Sequence, residues 1–500
     1  MVTLVNRAKV ATATTGTGTL TLGSAESGYQ SFADAGVVDT DIVRYVIEDG
    51  TDWEIGTGTY SAGTLTRTVS ESSNADAALN LTGSAVVYVS ATAEDIPPVL
   101  ELYAENPSSP NAPSATGANA VAIGTNSGAS GIESVSIGGN SNVSGDYSIA
   151  LGNSNDVTAS FAGAIGLGAD ATGNYAFALG AASFASGLQS VAIGRDTDAT
   201  SSGALAIGYQ AQARTGSNAT AISRSYASGT DSFAAAIANN TSSYGATGAN
   251  SVAIGKQAKA SVAQGIAIGD RATTATGGQA LAIGQLATAS GTSSIGIAGY
   301  MCTASGAGSV AIGSNYYFGT PTSSGAGSIV IGDGSTASAQ YSMVWGHAGS
   351  STIIGKQVHS SGRFASSGDS QQGRFILRSD TTDAPPEAIT TNNSTPSTTN
   401  QIILPNNSAY AFHGTIVARQ QASAGTACAA WKIEGLIRRE GSAGTTVLVN
   451  SATTVLDNTP GWGMTLSADT TNGGLKIEVT GAAATNIRFV ATVHTSEVTY

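Results

Sequence analysis

Val121-Ala122-Ile123-Gly124, Val135-Ser136-Ile137-Gly138 and Ile149-Ala150-Leu151-Gly152 are successive copies of one tetrad: large apolar, small, large apolar, glycine. Clean copies recur as far as Gly346, among them Phe177-Ala178-Leu179-Gly180 and Val191-Ala192-Ile193-Gly194, and degenerate ones end at Gly168, Ser223, Ala238 and Ala298. Sixteen copies result, and eleven of the fifteen intervals between them are 14 or 15 residues. A fixed period of this kind marks stacked units, each too small to bury its apolar face alone. Within the tetrad the two large residues share one face of a strand, the small residue points the other way, and the glycine admits a turn. A weaker stretch follows, as in Asn126-Ser-Gly-Ala-Ser130 or Gln257-Ala-Lys-Ala260, so each period predicts one coil of two short strands. On this reading Val, Ile, Leu and Ala fill a thin interior, Ile254 is buried, and Lys256 faces water.

The composition suits such a stack of coils and not a globular enzyme. Of 500 residues only 11% are charged and 6% aromatic, while 64 are glycine, so the side chains that fill a wide core are scarce. Residues 1 to 97 hold twelve Asp/Glu against four Lys/Arg, 116 to 346 nine against six, and 347 to 500 ten against ten. No stretch is basic, which argues against nucleic acid as a partner. Cys302 and Cys428 lie on different segments, and His347, His359, His413 and His494 are scattered with no His-x-His pair, so neither a metal nor a cofactor is expected. No apolar run reaches the length of a membrane-spanning helix, and the start from Met1 to Lys9 lacks the apolar core of a secretory signal, so membrane insertion is not expected either.

Asn250-Ser-Val-Ala-Ile-Gly255, Gly265-Ile-Ala-Ile-Gly269 and Gln279-Ala-Leu-Ala-Ile-Gly284 resemble the head repeats of trimeric autotransporter adhesins over roughly residues 116 to 346. That resemblance implies a left-handed parallel β-roll assembled as a homotrimer. A lone roll leaves an apolar side and unpaired edges, which trimerisation would cover. The heptad stalk and membrane anchor of those adhesins are not recognisable in the flanks. Instead, Tyr45 to Ile55, Gly56 to Tyr60 and Arg67 to Asn74 are similar to N-terminal domains of marine phage tail-fibre proteins. Tyr410-Ala-Phe412, Ala430-Trp-Lys-Ile-Glu434 and Gly474 to Val479 resemble a C-terminal domain of cyanophage and other marine phage structural proteins.

The expected organisation is all-β: an N-terminal β domain over 1–97, a Pro/Ser-rich linker over 98–115, the roll over 116–346, a connector over 347–400, and a sandwich or jelly roll over 401–500. In the first domain Gly18 to Leu22, Val43 to Ile47, Thr64 to Val69 and Val86 to Ser90 read as strands, and in the last Tyr410 to Arg419, Ala429 to Ile437, Thr445 to Val449, Leu475 to Val479 and Ile487 to His494. Prolines at 97, 98, 107, 110 and 113 keep the linker extended, with Val99 to Tyr103 as a short apolar run inside it.

Candidate chemistry is sparse. Glycoside hydrolysis needs two carboxylates across a groove, and Asp196 with Asp198 is the nearest pair, against which stands the plainer reading of a solvated turn. No catalytic residue is assigned. The longest interval, Gly313 to Gly332, carries Asn315-Tyr-Tyr-Phe-Gly-Thr-Pro321, an insertion whose Tyr316, Tyr317 and Phe318 are candidates for receptor contact or for packing back on the roll. Trp462 is a further contact candidate, although its alternation with Met464 and Leu466 favours a core position; Trp431 is expected in the core. The function expected from the resemblances is a tail fibre. It would attach to other virion tail proteins through its N-terminal domain and touch a host-surface glycan or protein through its C-terminal third. A head fibre and a polysaccharide-depolymerising tailspike are the alternatives. The expected location is the virion, and the extracellular space after release.

Overall fold

The structure, a computed structural model, describes residues 2–96, 111–238, 243–316, 319–422 and 425–500. The chain divides into two compact units, one ending at 104 and one beginning at 105. The run Val99 to Tyr103 and most of the proline-rich linker lie outside the described residues.

In the first unit, alternating sequences form a sheet in the order Lys9–Thr12, Ala85–Val89, Ile42–Asp49, Asp52–Ser61, Thr64–Leu65, Leu20–Thr21, with Thr68–Ser72 also paired to Asp52–Ser61. Val10, Leu20, Val43, Tyr45, Ile47, Leu65 and Val87 are its buried centre. Inside that apolar core lies one ion pair, Glu54 with Arg67, their side chains 0% and 2% exposed. Both carboxylate oxygens are fully employed. Oε1 accepts from the Tyr45 hydroxyl and from Arg67 Nε, each at 2.8 Å, and Oε2 accepts from the Leu79 amide at 2.7 Å and from the Arg67 guanidinium. Burial, with the Glu54 carboxylate alongside, pushes the Tyr45 hydroxyl far above its ordinary pKa. Three of these residues, Tyr45, Glu54 and Arg67, fall in the stretches that carry the likeness to phage N-terminal domains.

The second unit starts as a parallel β-solenoid. Each coil has a strand from the tetrad, such as Val191–Ile193, and a two-residue strand such as Asp198–Ala199. Strands pair with their equivalents one coil on, as Val191 with Leu205, Ala192 with Ala206 and Ile193 with Ile207. Tetrad strands run from Val121–Ile123 to Gln357–Ser361, which makes seventeen coils among the described residues and a rod of roughly 80 Å at ~4.8 Å per coil. Glycine closes the tetrad for two reasons. Gly138 has φ +126, and a Cβ there would lie 1.7 Å from the Gly152 carbonyl oxygen of the next coil. The opposite corners place non-glycine residues such as Tyr147, Phe161 and Tyr175 in the left-handed region.

The side chains face opposite ways from the expectation. The small tetrad residue points in: Ala192, Ala206, Ala221, Ala253 and Ala267 are fully buried, joined by Ala199, Ala213 and Ala260 from the short strands. The large residues point out and stay half-buried or exposed, Val121 at 40% and Ile331 at 42%. Ile254 is therefore on the outer face, with Ala253 in its place inside, whereas Lys256 is exposed as expected. The physical reason is space. Fourteen residues close so narrow a coil that the smaller residue of each tetrad turns inward, alanine or serine in most coils and valine at Val330, Val344 and Val358.

Both ends of the roll extend past the tetrads. Ser114–Ala115, at the end of the stretch read as linker, already pairs in parallel with Gly128–Ala129. The stretch read as a connector is divided: Gln357–Ser361 is the last coil, paired in parallel with Met343–His347, and Ser370–Thr381 turns back antiparallel onto it. That strand opens a five-stranded antiparallel sheet, Ser370–Thr381, Ile487–Thr499, Ser408–Gln420, Cys428–Arg439, Val447–Asp457. A second sheet of Pro386–Ala388, Gly474–Thr480, Ile402–Ile403 and Gly463–Asp469 completes a sandwich. Phe375, Tyr410, Phe412, Ile416, Trp431, Ile433, Ile477 and Phe489 fill its core.

Candidate functional surfaces

The most extensive functional feature is the outer face of the roll. Parallel in-register pairing stacks like on like, so the outward residues become continuous apolar columns, as in Ile193, Ile207 and Ile222. Columns of half-exposed Val, Ile and Leu along so long a face are far more apolar surface than a solitary chain ordinarily leaves to water.

One corner carries a feature the sequence reading missed. Tyr147, Phe161 and Tyr175 occupy the same corner of three successive coils and stack with centroids 5.1 and 5.0 Å apart, half exposed to solvent. Their 14-residue spacing was the available signal.

The insertion projects Tyr316, which is 74% exposed, and its amide lies 3.4 Å from Asp333 Oδ1. Asp333 also faces His347 at 3.7 Å. Tyr317 and Phe318 lie outside the described residues. Trp462 corrects its candidacy for contact: it is 6% exposed and packs edge-on against Phe489 at 6.2 Å, so the core has claimed it. Trp431 is in the same core, 2% exposed. Asp196 and Asp198 are ion-paired to Arg195 and Arg214 respectively, a charge-balanced turn and strand start.

At the end of the roll, Lys356 from the last coil meets Glu497 from the final strand at 2.7 Å, both nearly solvent-free. Glu497 also accepts from Gln371 Nε2 at 2.8 Å and Thr495 Oγ1 at 2.6 Å, and the Lys356 ammonium lies over the Phe375 and Tyr410 rings at 5.2 and 5.7 Å. Burial and this carboxylate raise the Tyr410 hydroxyl well above its usual pKa. The cluster borders a cavity of about 500 Å³ lined by Ser350, Ser366, Gln371, Tyr410 and Arg439 among others. With lysine and glutamate neutralising each other, it acts as a clasp between roll and sandwich. The partners are 141 residues apart, so no sequence signal connected them.

The histidines, far apart in sequence, are partly gathered by the fold. His413 and His494 lie directly opposite on neighbouring strands and stack at 5.3 Å. Burial, then His413, then Arg374 hold His494 below its ordinary value of 6.5. Between the two values the unfolded chain binds a proton that the folded chain refuses, so stability is complete above about pH 6.5 and falls as pH is lowered through the window. The melting temperature of the sandwich is expected to fall on acidification from neutral pH, and less in His494→Gln; equal losses in both proteins refute the assignment.

Among the described residues no group of three or more His, Cys, Asp or Glu is placed to hold a metal, and no helix is long and apolar enough to cross a membrane. Cys302 is buried, which raises its thiol to about 11, and Cys428 is exposed.

A roll with a small-residue interior, outward apolar columns and a coil of about fourteen residues defines a β-solenoid. Segments 114–127, 129–155, 164–183, 171–197, 199–222, 246–272, 275–295, 299–315 and 323–344 match the YadA head domain repeat. The roll is therefore built of repeats of the kind found in trimeric autotransporter heads, and neither flank takes part in the match. No curated protein matches the chain. Among solved structures it is similar to the tailspike protein gp49 of Acinetobacter baumannii bacteriophage Fri1, a capsular polysaccharide depolymerase. Identity is 9% over 81% of this chain and 74% of that one, and the TM-score of 0.19 is too low to bear on fold or function.

Proposed function

We propose that the chain is a trimeric phage fibre. Its N-terminal unit binds other virion tail proteins, its roll is a stiff spacer, and its C-terminal third meets the host surface. The observation that carries the assembly is the outward placement of the tetrad's large residues. Three rolls turning those columns toward a common axis bury them, and three copies of a weak host contact on one rigid rod act at high effective concentration. Tyr316, Tyr317 and Phe318 remain the proposed contacts within the insertion, since aromatic groups on a loop held by a rigid support suit sugar recognition. The likeness of the flanks to phage structural proteins supports the virion as the location.

The purified chain is expected to have a mass of three times 49.3 kDa by light scattering. A stable soluble monomer ends the reading. Added to host cells before phage, the wild-type chain is expected to reduce adsorption, and Tyr316→Ala, still trimeric, to reduce it less. Release of reducing sugars from host polysaccharide by the chain would replace adhesion with depolymerisation.

A further inference from the structure

Residues 347 to 500 carry ten acidic and ten basic residues, but the fold does not distribute them evenly. Alternation sends every second residue of the five-stranded sheet outward. Arg374, His494, His413 and Glu434 lie side by side across four strands. One step along, Ile376, Thr492, Thr415 and Lys432 form the next outward row; then come Arg378, Val490 and Val417; then Asp380, Arg488 and Arg419. With Arg438 the face holds six cations, against four acids: Asp380, Glu434, Asp457 on the edge strand and Glu440 just beyond Arg438. Three of the ten acids, Asp369, Asp469 and Glu497, are buried elsewhere. A chain of net charge −13 thus presents one basic face.

The charges on this face are available. The pairs Arg488–Asp380 (3.3 Å), Lys432–Glu434 (3.7 Å) and Arg438–Glu440 (2.7 Å) are solvent-exposed and weak enough to exchange. Arg374 and Arg378 make no side-chain hydrogen bond or ion pair among the described residues. Between them and Lys432, a depression of about 260 Å³ is lined by His413, Thr415, Lys432, Thr492 and His494. Ile376, Val417 and Val490 lie exposed beside it.

We infer that this sheet face binds an acidic polysaccharide, with carboxylates against Arg374 and Arg378 and sugar rings over the His413–His494 depression. Guanidinium groups suit carboxylates in a planar, two-pronged geometry. The threonine hydroxyls and imidazoles match sugar hydroxyls, and the exposed Ile and Val match the apolar faces of the rings. A single-stranded nucleic acid would call for phenyl or indole platforms, which this face lacks, and the acidic remainder of the chain repels a duplex. The inference rests on the host-attachment reading and assigns its glycan a chemical class and a site.

The test uses the full-length chain on immobilised hyaluronate, polygalacturonate and polysialate, with dextran as the neutral polymer and a DNA oligonucleotide as the other polyanion. Binding to at least one acidic glycan is expected, weakened by salt and absent on dextran. Arg374→Glu with Arg378→Glu is expected to weaken it by about tenfold or more, whereas Lys256→Glu on the roll leaves it unchanged. Equal binding by the double variant, equal binding to dextran, or equal binding to DNA overturns the inference. So does a change of oligomeric mass in the double variant, which would make the face a contact between copies. If no acidic glycan binds while the chain still blocks phage adsorption, the inference fails and host attachment stands. If glycan binds without any blocking, host attachment fails alone.

Discussion

Replacing Ala206 by Asp is expected to cost the roll about 3–5 kcal/mol, the scale of an uncompensated buried charge. Ala206 is fully buried, stacked between Ala192 and Ala221, and the other inward residues of its coil, Ala204, Ala211 and Ala213, offer no hydrogen-bond donor side chain. The neighbouring Ile207→Asp is the informative contrast. Ile207 lies on the outer face in the column of Ile193 and Ile222, where an exposed monomer would tolerate a carboxylate and a trimer would not. The expected result is a lower urea midpoint with loss of β signal for Ala206→Asp, and a shift from trimer to monomer with the β signal largely kept for Ile207→Asp. Identical unfolding by both variants would mean that the inward and outward faces have been misassigned.

Glu54→Gln is expected to destabilise the N-terminal unit by about 3–5 kcal/mol, because it strands the Arg67 guanidinium in a core where both partners are almost unexposed. The amide keeps the volume and one acceptor, so the loss reports charge and not packing. Arg67→Met with Glu54→Gln removes both charges and is expected to recover a good part of the loss. Thermal unfolding of the wild type and the two variants checks this. A double variant no better than Glu54→Gln would show that the hydrogen bonds from Tyr45 and the Leu79 amide outweigh the ion pair.

Much of the architecture was legible because repetition amplifies a weak local signal. One Val-Ala-Ile-Gly proves nothing, but sixteen at a near-constant interval admit few packings, and the parallel stack followed. Strand runs in the flanks are recognisable by alternation, although Asp52–Ser61 reads as a motif and not as a strand, and Ser370–Thr381 falls inside the stretch assigned as a connector. The candidate sites were far less legible. Trp462 and Tyr316 are both aromatic residues beside turn-forming neighbours, and only packing against Phe489 separates the buried one from the projecting one.

The period, the two-strand coil and the all-β class are set by the sequence alone, because spacing and alternation are one-dimensional properties. Which face of the tetrad turns inward was decided by the tertiary structure: alternation says that Val and Ile oppose Ala, but the narrowness of the closed coil puts Ala inside. The pairings Glu54–Arg67, Lys356–Glu497 and His413–His494, and the gathering of six cations on one face of a charge-balanced domain, likewise depend on strand order and register. Those bring together residues that the chain keeps far apart, and no local pattern records them.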